Sequence, residues 1–192
     1  MQFSDLLKDI FFALWVYFPA AIGNMTPILV AKSNWKPLKN WTTSLDFGKT
    51  FHGHRIFGTH KTWRGLVTGM IVSTIILALQ QLVFKHTHFM QAWLHGFDFG
   101  HLPTLIAGPL FGLGALGGDA IKSFFKRQRN TPPGESWFPF DQIDLPLGAL
   151  IFTWPLIHPS LSVAIIAVLM GLTSQLVFSY LGYMLHLKEK PI

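Results

Sequence analysis

Five apolar stretches, 10–31, 66–84, 102–121, 145–157 and 161–185, take up about half of the 192-residue chain and hold one charged side chain among them, Asp119. Stretches near 20 residues are the length a helix needs to cross the roughly 30 Å hydrocarbon core of a bilayer. Only 12% of the chain is charged and 50% is hydrophobic, whereas a soluble surface takes about 25% charged residues. The expected fold is therefore all-α: a polytopic integral membrane protein, a bundle of about five transmembrane helices forming one domain over 1–192. Two loops, 32–65 and 122–142, carry most of the polar chemistry. The fourth stretch is short, since 13 residues reach only about 20 Å. It must extend back through residues 138–144 or sit tilted within the bundle.

The cations are divided unevenly. Of 15 Lys and Arg, seven fall in 32–65, four in 122–142 and two, Lys188 and Lys190, in the tail, while only Lys8 and Lys85 lie on the opposite side. The positive-inside bias then makes the two loops and the C-terminus cytoplasmic and puts the N-terminus outside a cell membrane. Lys8 stands between Asp5 and Asp9, unlike the basic start of a secretory signal, so the first stretch is expected to be retained as a helix.

Inside the spans, Pro19 and Pro27 predict a kinked first helix, and Asn24 places an amide at depth, as a packing polar group or as a substrate contact. Gly108, Gly112, Gly114, Gly117 and Gly118 give the third span the small-residue spacing of close helix packing. Cysteine is absent, so thiolate chemistry and Cys-built zinc sites are excluded, and any metal falls to oxygen or imidazole ligands.

The first loop interleaves Lys49, Arg55, Lys61 and Arg64 with Gly48, Gly53, Gly58 and Gly65, a composition in which amides and cationic heads can converge on an anion such as phosphate. Lys61 and Arg64, three apart, would share one face at the head of a helix and grip one phosphate together. A basic loop that only fixes topology and touches anionic headgroups would have the same composition. In the second loop Asp119 ends one span, and Asp141 and Asp144 stand at i and i+3 before the next, beside Lys122, Lys126, Arg127 and Arg129. Three boundary carboxylates beside a cationic run suit a hard divalent ion bridging to substrate phosphates, although mutual charge neutralisation would need the same residues.

Taken together, Asp46-x-Gly48, Gly53-x-Arg55, Gly58-x-x-Lys61-Thr62-Trp63-Arg64-Gly65, Gly118-Asp119, Ser123-Phe124-x-Lys126-Arg127 and Pro133-Gly134 before Asp141-Gln142-x-Asp144 resemble the motifs of the CDP-archaeol synthase family, relatives of the bacterial phosphatidate cytidylyltransferases. The resemblance covers most of the chain. It implies a five-helix bundle that transfers CMP from CTP to a lipid phosphate, giving CDP-lipid and pyrophosphate with Mg²⁺. It further implies that Asp119, Asp141 and Asp144 serve the metal, and that Lys126 belongs with them in the catalytic centre. Arg55, Lys61, Arg64, Lys126 and Arg127 would bind phosphates, with Asp46, Thr62 and Ser123 as motif residues on the substrate side, beside Asn24 of the first span as a candidate substrate contact. The partners so implied are CTP, an archaeal-type ether or diacyl lipid phosphate and the bilayer, with no nucleic acid.

Two rivals remain. A CDP-alcohol phosphotransferase would carry an Asp-Gly-x-x-Ala-Arg run, which is absent. A small transporter or lipid-binding protein would place charges within the spans instead of at one face.

Overall fold

A computed structural model describes residues 3–33, 36–132 and 135–184. Pro133-Gly134 of the second motif and the tail with Lys188 and Lys190 lie outside the described residues. The chain folds into five long helices, α1 (Phe3–Lys32), α3 (Trp63–His86), α5 (Thr104–Gln128), α6 (Phe140–Ile157) and α7 (Leu161–Met184). Short pieces join them: α2 (Lys36–Lys39), a hairpin of β1 (Thr50–Phe51) and β2 (His54–Arg55), α4 (His88–Trp93) and a single 3₁₀ turn at Phe99–His101.

Among the described residues four helices, α1, α3, α5 and residues 161–181 of α7, are long and apolar enough to cross a membrane. The fifth, α6, has 18 residues, roughly 27 Å at 1.5 Å per residue, because the helix extends back from the apolar stretch to Phe140. Asp141 and Asp144 thus stand in its first turns. The second loop is shorter than 122–142 for the complementary reason. No Gly or Pro interrupts 119–128, so α5 runs on to Gln128 and carries Lys122, Ser123, Lys126 and Arg127 as helical residues.

Packing follows the small residues. A Cβ on Gly108 or Gly112 would strike Thr74 or Met70 of α3, and one on Gly114 would lie 2.6 Å from the carbonyl oxygen of Gly148 on α6. A Cβ on Gly118 would overlap the carbonyl oxygen of Asp144. One glycine-lined helix therefore serves as the axis against which α3 and α6 close, as the spacing of those glycines predicts. Against α1, the Pro19 ring leaves the Trp15 carbonyl without its helical donor, and Nε2 of Gln80 on α3 supplies one at 2.7 Å. Oγ of Ser73 donates to the Pro19 carbonyl at 2.9 Å. Outward, α1, α3 and α7 expose Met25, Leu29, Ile71, Ile75, Leu79, Ile165 and Leu169, a surface suited to lipid chains.

The two motif segments meet at one end of the bundle, where the Phe51 ring lies 5.8 Å from that of Phe124. At the opposite end Nε2 of His95 pairs with Asp9 at 2.9 Å, and Phe11 packs edge-on against Trp93. The 32–65 and 122–142 cations therefore share one end, and Lys8 and Lys85 lie toward the other.

Candidate active site

The first loop is organised around an anion of its own. Asp46, whose side chain is fully buried, accepts from Nη2 of Arg55 at 2.6 Å and Nε at 3.2 Å, and from the amides of Gly48, Phe57 and Gly58 at 3.0 to 3.1 Å. Burial acts to raise its pKa, but the Arg55 guanidinium and the three amides outweigh it and hold the carboxyl well below the usual range. Two of the glycine amides expected at an external phosphate are thus consumed inside the loop. Gly53 instead turns the hairpin: His52 and Gly53, both at positive φ, connect Phe51 to His54 in a two-residue turn. Asp46 and Arg55 brace the loop, and neither lines the cavity described below.

The expected shared grip of Lys61 and Arg64 is not made. Thr62 is the N-cap of α3 in extended conformation, its hydroxyl accepting from the Gly65 amide at 3.2 Å. Lys61 therefore precedes the helix, and the i, i+3 relation does not bring it onto the face of Arg64. Nη1 of Arg64 donates to the carbonyls of Leu38 and Lys39, at 2.7 and 3.4 Å, and the residue is buried. Lys61 turns to Asp119, with which it forms an ion pair.

The three predicted acids do converge. Nζ of Lys122 lies 3.1 Å from Oδ1 of Asp119, 3.0 Å from Oδ1 of Asp141 and 2.7 Å from Oδ2 of Asp144. Asp119 is held there by Gly118, whose missing side chain lets α5 touch the Asp144 backbone. Lys126 reaches Asp141 at 3.1 Å and donates to the Glu135 carbonyl, while the Trp137 amide donates to Oδ2 of Asp141 at 2.6 Å. Lys122, which the sequence shows as part of the cationic run, carries no site role in that reading and is the residue the structure adds. Its position three residues after Asp119 on a helix, and four before Lys126, was the available signal.

This cluster closes one end of a cavity of about 760 Å³ bounded by α1, α3, α5, α6 and α7. Lys61, Thr62, Asp119, Lys122, Asp141 and Asp144 form its polar end. Leu14, Phe18, Ile28 and Met170 form apolar wall, and Asn24, with no polar partner among the described residues, stands between. Along α1 the lining runs from Ala13 to Lys32, about 28 Å at 1.5 Å per residue, close to the depth of a bilayer core. Ser123, whose hydroxyl donates to the Asp119 carbonyl at 2.8 Å, and Arg127, beside Gly58, lie outside the cavity lining.

Among the described residues, no group of three or more His, Asp or Glu stands ready-made as a metal cage. The acids instead surround an ammonium. Three hard oxygen donors converging on one positive centre fit a hard divalent cation in donor chemistry, with Lys122 holding the position of the positive charge.

The comparisons with known proteins decide the family. The CarS-like family model, CDP-archaeol synthase, matches residues 6–192. The chain belongs to the CDP-archaeol synthase family. It is 35% identical over 144 residues to the CDP-archaeol synthase of Pyrococcus furiosus, covering 74% of each chain. It is 31% identical over 186 residues to that of Methanococcus maripaludis, covering 96% of this chain and 98% of the relative. A solved structure described as an intramembrane enzyme for archaeal membrane lipids biosynthesis superposes with a TM-score of 0.67 at 27% identity, over 86% of this chain and 91% of that one. The resemblance seen in the two motifs is borne out, and with it the all-α polytopic membrane fold. Membership in the CDP-archaeol synthase family makes the chain an enzyme, a membrane cytidylyltransferase.

Proposed function

We propose that this member of the CDP-archaeol synthase family transfers CMP from CTP to an archaeal-type ether lipid phosphate, releasing pyrophosphate. A lipid phosphate oxygen forms the new bond to the α-phosphorus as the bond from that phosphorus to the β-phosphate oxygen breaks. The observation that carries the reading is a cavity that joins a charged end to an apolar wall nearly as long as a bilayer leaflet pair is thick. Such a trough takes a lipid chain along α1 and leaves the headgroup at Lys61 and the acid cluster, where a water-soluble nucleotide also reaches.

A phosphate monoester has its second pKa near 6, so the attacking oxygen is already ionised at neutral pH and no side-chain base is required. The barrier lies in bringing two anions together, which is lowered by fixed positive charge at the oxygens. Lys61, Lys122 and Lys126 supply that charge from two segments, and Thr62 and the α3 N-terminus add backbone dipole. Asp119, Asp141 and Asp144 would hold Mg²⁺, which supplies further neutralisation of the triphosphate when bound. Arg127, half-buried, beside Gly58 and without a polar partner among the described residues, is assigned to outer phosphate oxygens. Asn24 is assigned to the lipid near its glycerol ether oxygens. The charge asymmetry orients the protein with the acid cluster and the C-terminus cytoplasmic and the N-terminus outside.

The test is direct. Purified protein with α-labelled CTP, Mg²⁺ and a panel of ether and ester lipid phosphates should yield labelled CDP-lipid, ether substrate ahead. No transfer of label from CTP, with CMP released from an added CDP-lipid only when an alcohol is supplied, would assign the rival phosphotransferase chemistry.

A further inference from the structure

The formal charges of the acid cluster are balanced within the chain. Three carboxylates, Asp119, Asp141 and Asp144, are interleaved with three ammoniums, Lys61, Lys122 and Lys126. Every one of the six carboxylate oxygens has a donor from the chain itself. Oδ1 of Asp119 faces Lys122 and Oδ2 faces Lys61. Oδ1 of Asp141 faces Lys122 and Lys126, and Oδ2 faces Lys126 and the Trp137 amide. Oδ2 of Asp144 faces Lys122, and Oδ1 accepts from the Leu145 amide at 2.7 Å.

A bare divalent cation entering this cluster would displace Lys122 from the point that all three acids reach, and would leave three ammoniums close to a doubly charged ion. In a partly buried setting that repulsion is poorly screened. A nucleoside triphosphate changes the balance. Its phosphates give the lysines new partners, so the same ammoniums that repel the bare ion become ligands of the incoming anion.

We propose that Lys122 is the internal counter-ion of the metal site: its ammonium occupies the focus of Asp119, Asp141 and Asp144 until a nucleoside triphosphate draws it away, so the divalent cation binds only together with the nucleotide. This rests on the assignment of the three acids to a metal under the proposed function. Lys122 is thereby a residue that sets the order of binding, and binding linkage requires metal to tighten nucleotide by the factor that nucleotide tightens metal.

The experiment uses Mn²⁺ and water-proton relaxation enhancement, which reports ion bound to the slowly tumbling protein and discriminates against free Mn·CTP. Detergent-solubilised wild-type protein with Mn²⁺ alone should show little enhancement, and CTP should bring it on, with an apparent Mn²⁺ affinity higher by about ten-fold or more. Lys122→Met should bind Mn²⁺ without nucleotide about ten-fold more tightly than wild type, and Lys122→Arg should behave as wild type. The double variant Lys122→Met, Asp144→Asn should lose the gain. A merely structural lysine would give the opposite sign, because its removal would loosen the acids. Equal enhancement in wild type with and without CTP overturns the proposal while leaving the metal assignment standing. Unchanged or weaker Mn²⁺ binding in a folded Lys122→Met protein overturns it as well. Enhancement in neither state overturns the metal assignment itself, and this inference with it.

Discussion

Nζ of Lys122 lies 2.7 Å from Oδ2 of Asp144, an ion pair that ties α5 to the first turns of α6 at the charged end of the cavity. Its geometry depends on how closely the two helices approach, and that approach is set one residue before Asp119.

Gly118→Ala tests that dependence. The new methyl would overlap the Asp144 carbonyl oxygen, so α6 must move or α5 must rotate. Overpacking of this kind costs about 1–3 kcal/mol, and the displacement separates Asp119 from Asp144. We expect a lower unfolding temperature together with a loss of CDP-lipid formation larger than the stability change explains. Gly117→Ala, which meets only the Phe152 ring at 3.9 Å, should retain both. Equal behaviour of the two variants would remove the helix contact from the account.

Asp46 gives a pH prediction with a definite sign. Its pKa in the folded protein is held below the unfolded value of about 3.9 by Arg55 and three amides, so it contributes stability above that value. That contribution is lost as pH falls through the folded pKa. Asp46→Asn should therefore be less stable than wild type at neutral pH, and the difference should shrink toward strongly acidic pH. Thermal unfolding of both proteins across that range measures it, and a pH-independent difference would show that the carboxylate charge is not what holds the loop.

Lys61→Ala removes a cation from the cavity and leaves Asp119 with Lys122. We expect the KM for CTP to rise roughly ten-fold, the size of effect that follows loss of a charge-assisted contact. Steady-state kinetics at varied CTP measures this, and unchanged turnover and CTP dependence would return Lys61 to a role in topology alone. Arg64→Ala should act differently, through lost support of the Leu38 and Lys39 carbonyls, lowering stability before it alters CTP use.

What the chain discloses by itself follows from which forces are local. Hydropathy and the cation asymmetry depend on side-chain identity alone, so the apolar stretches and the end that bears the loops are readable from the letters. So is the use of the α5 glycines for packing, because spacing on one helix is a local property. The acids are legible as a group because Asp141 and Asp144 share a helical face and Asp119 ends the preceding span at the same boundary. The fate of Arg64 and of Gly58 is not readable, since it turns on partners 26 and 12 residues away, Leu38 for Arg64 and Asp46 for Gly58. The particular role of Lys122 is not legible, because a lysine in a basic run looks like its neighbours until α6 is placed against it.

The most direct test of the central claim is CDP-lipid formation by Asp144→Asn beside wild type, each purified and shown to be folded, with CTP, Mg²⁺ and an ether lipid phosphate. Removal of one carboxylate from the cluster should reduce turnover by about 10²-fold or more, with the helical content unchanged. Turnover within a few-fold of wild type would contradict the assignment of Asp119, Asp141 and Asp144 as the centre of the reaction.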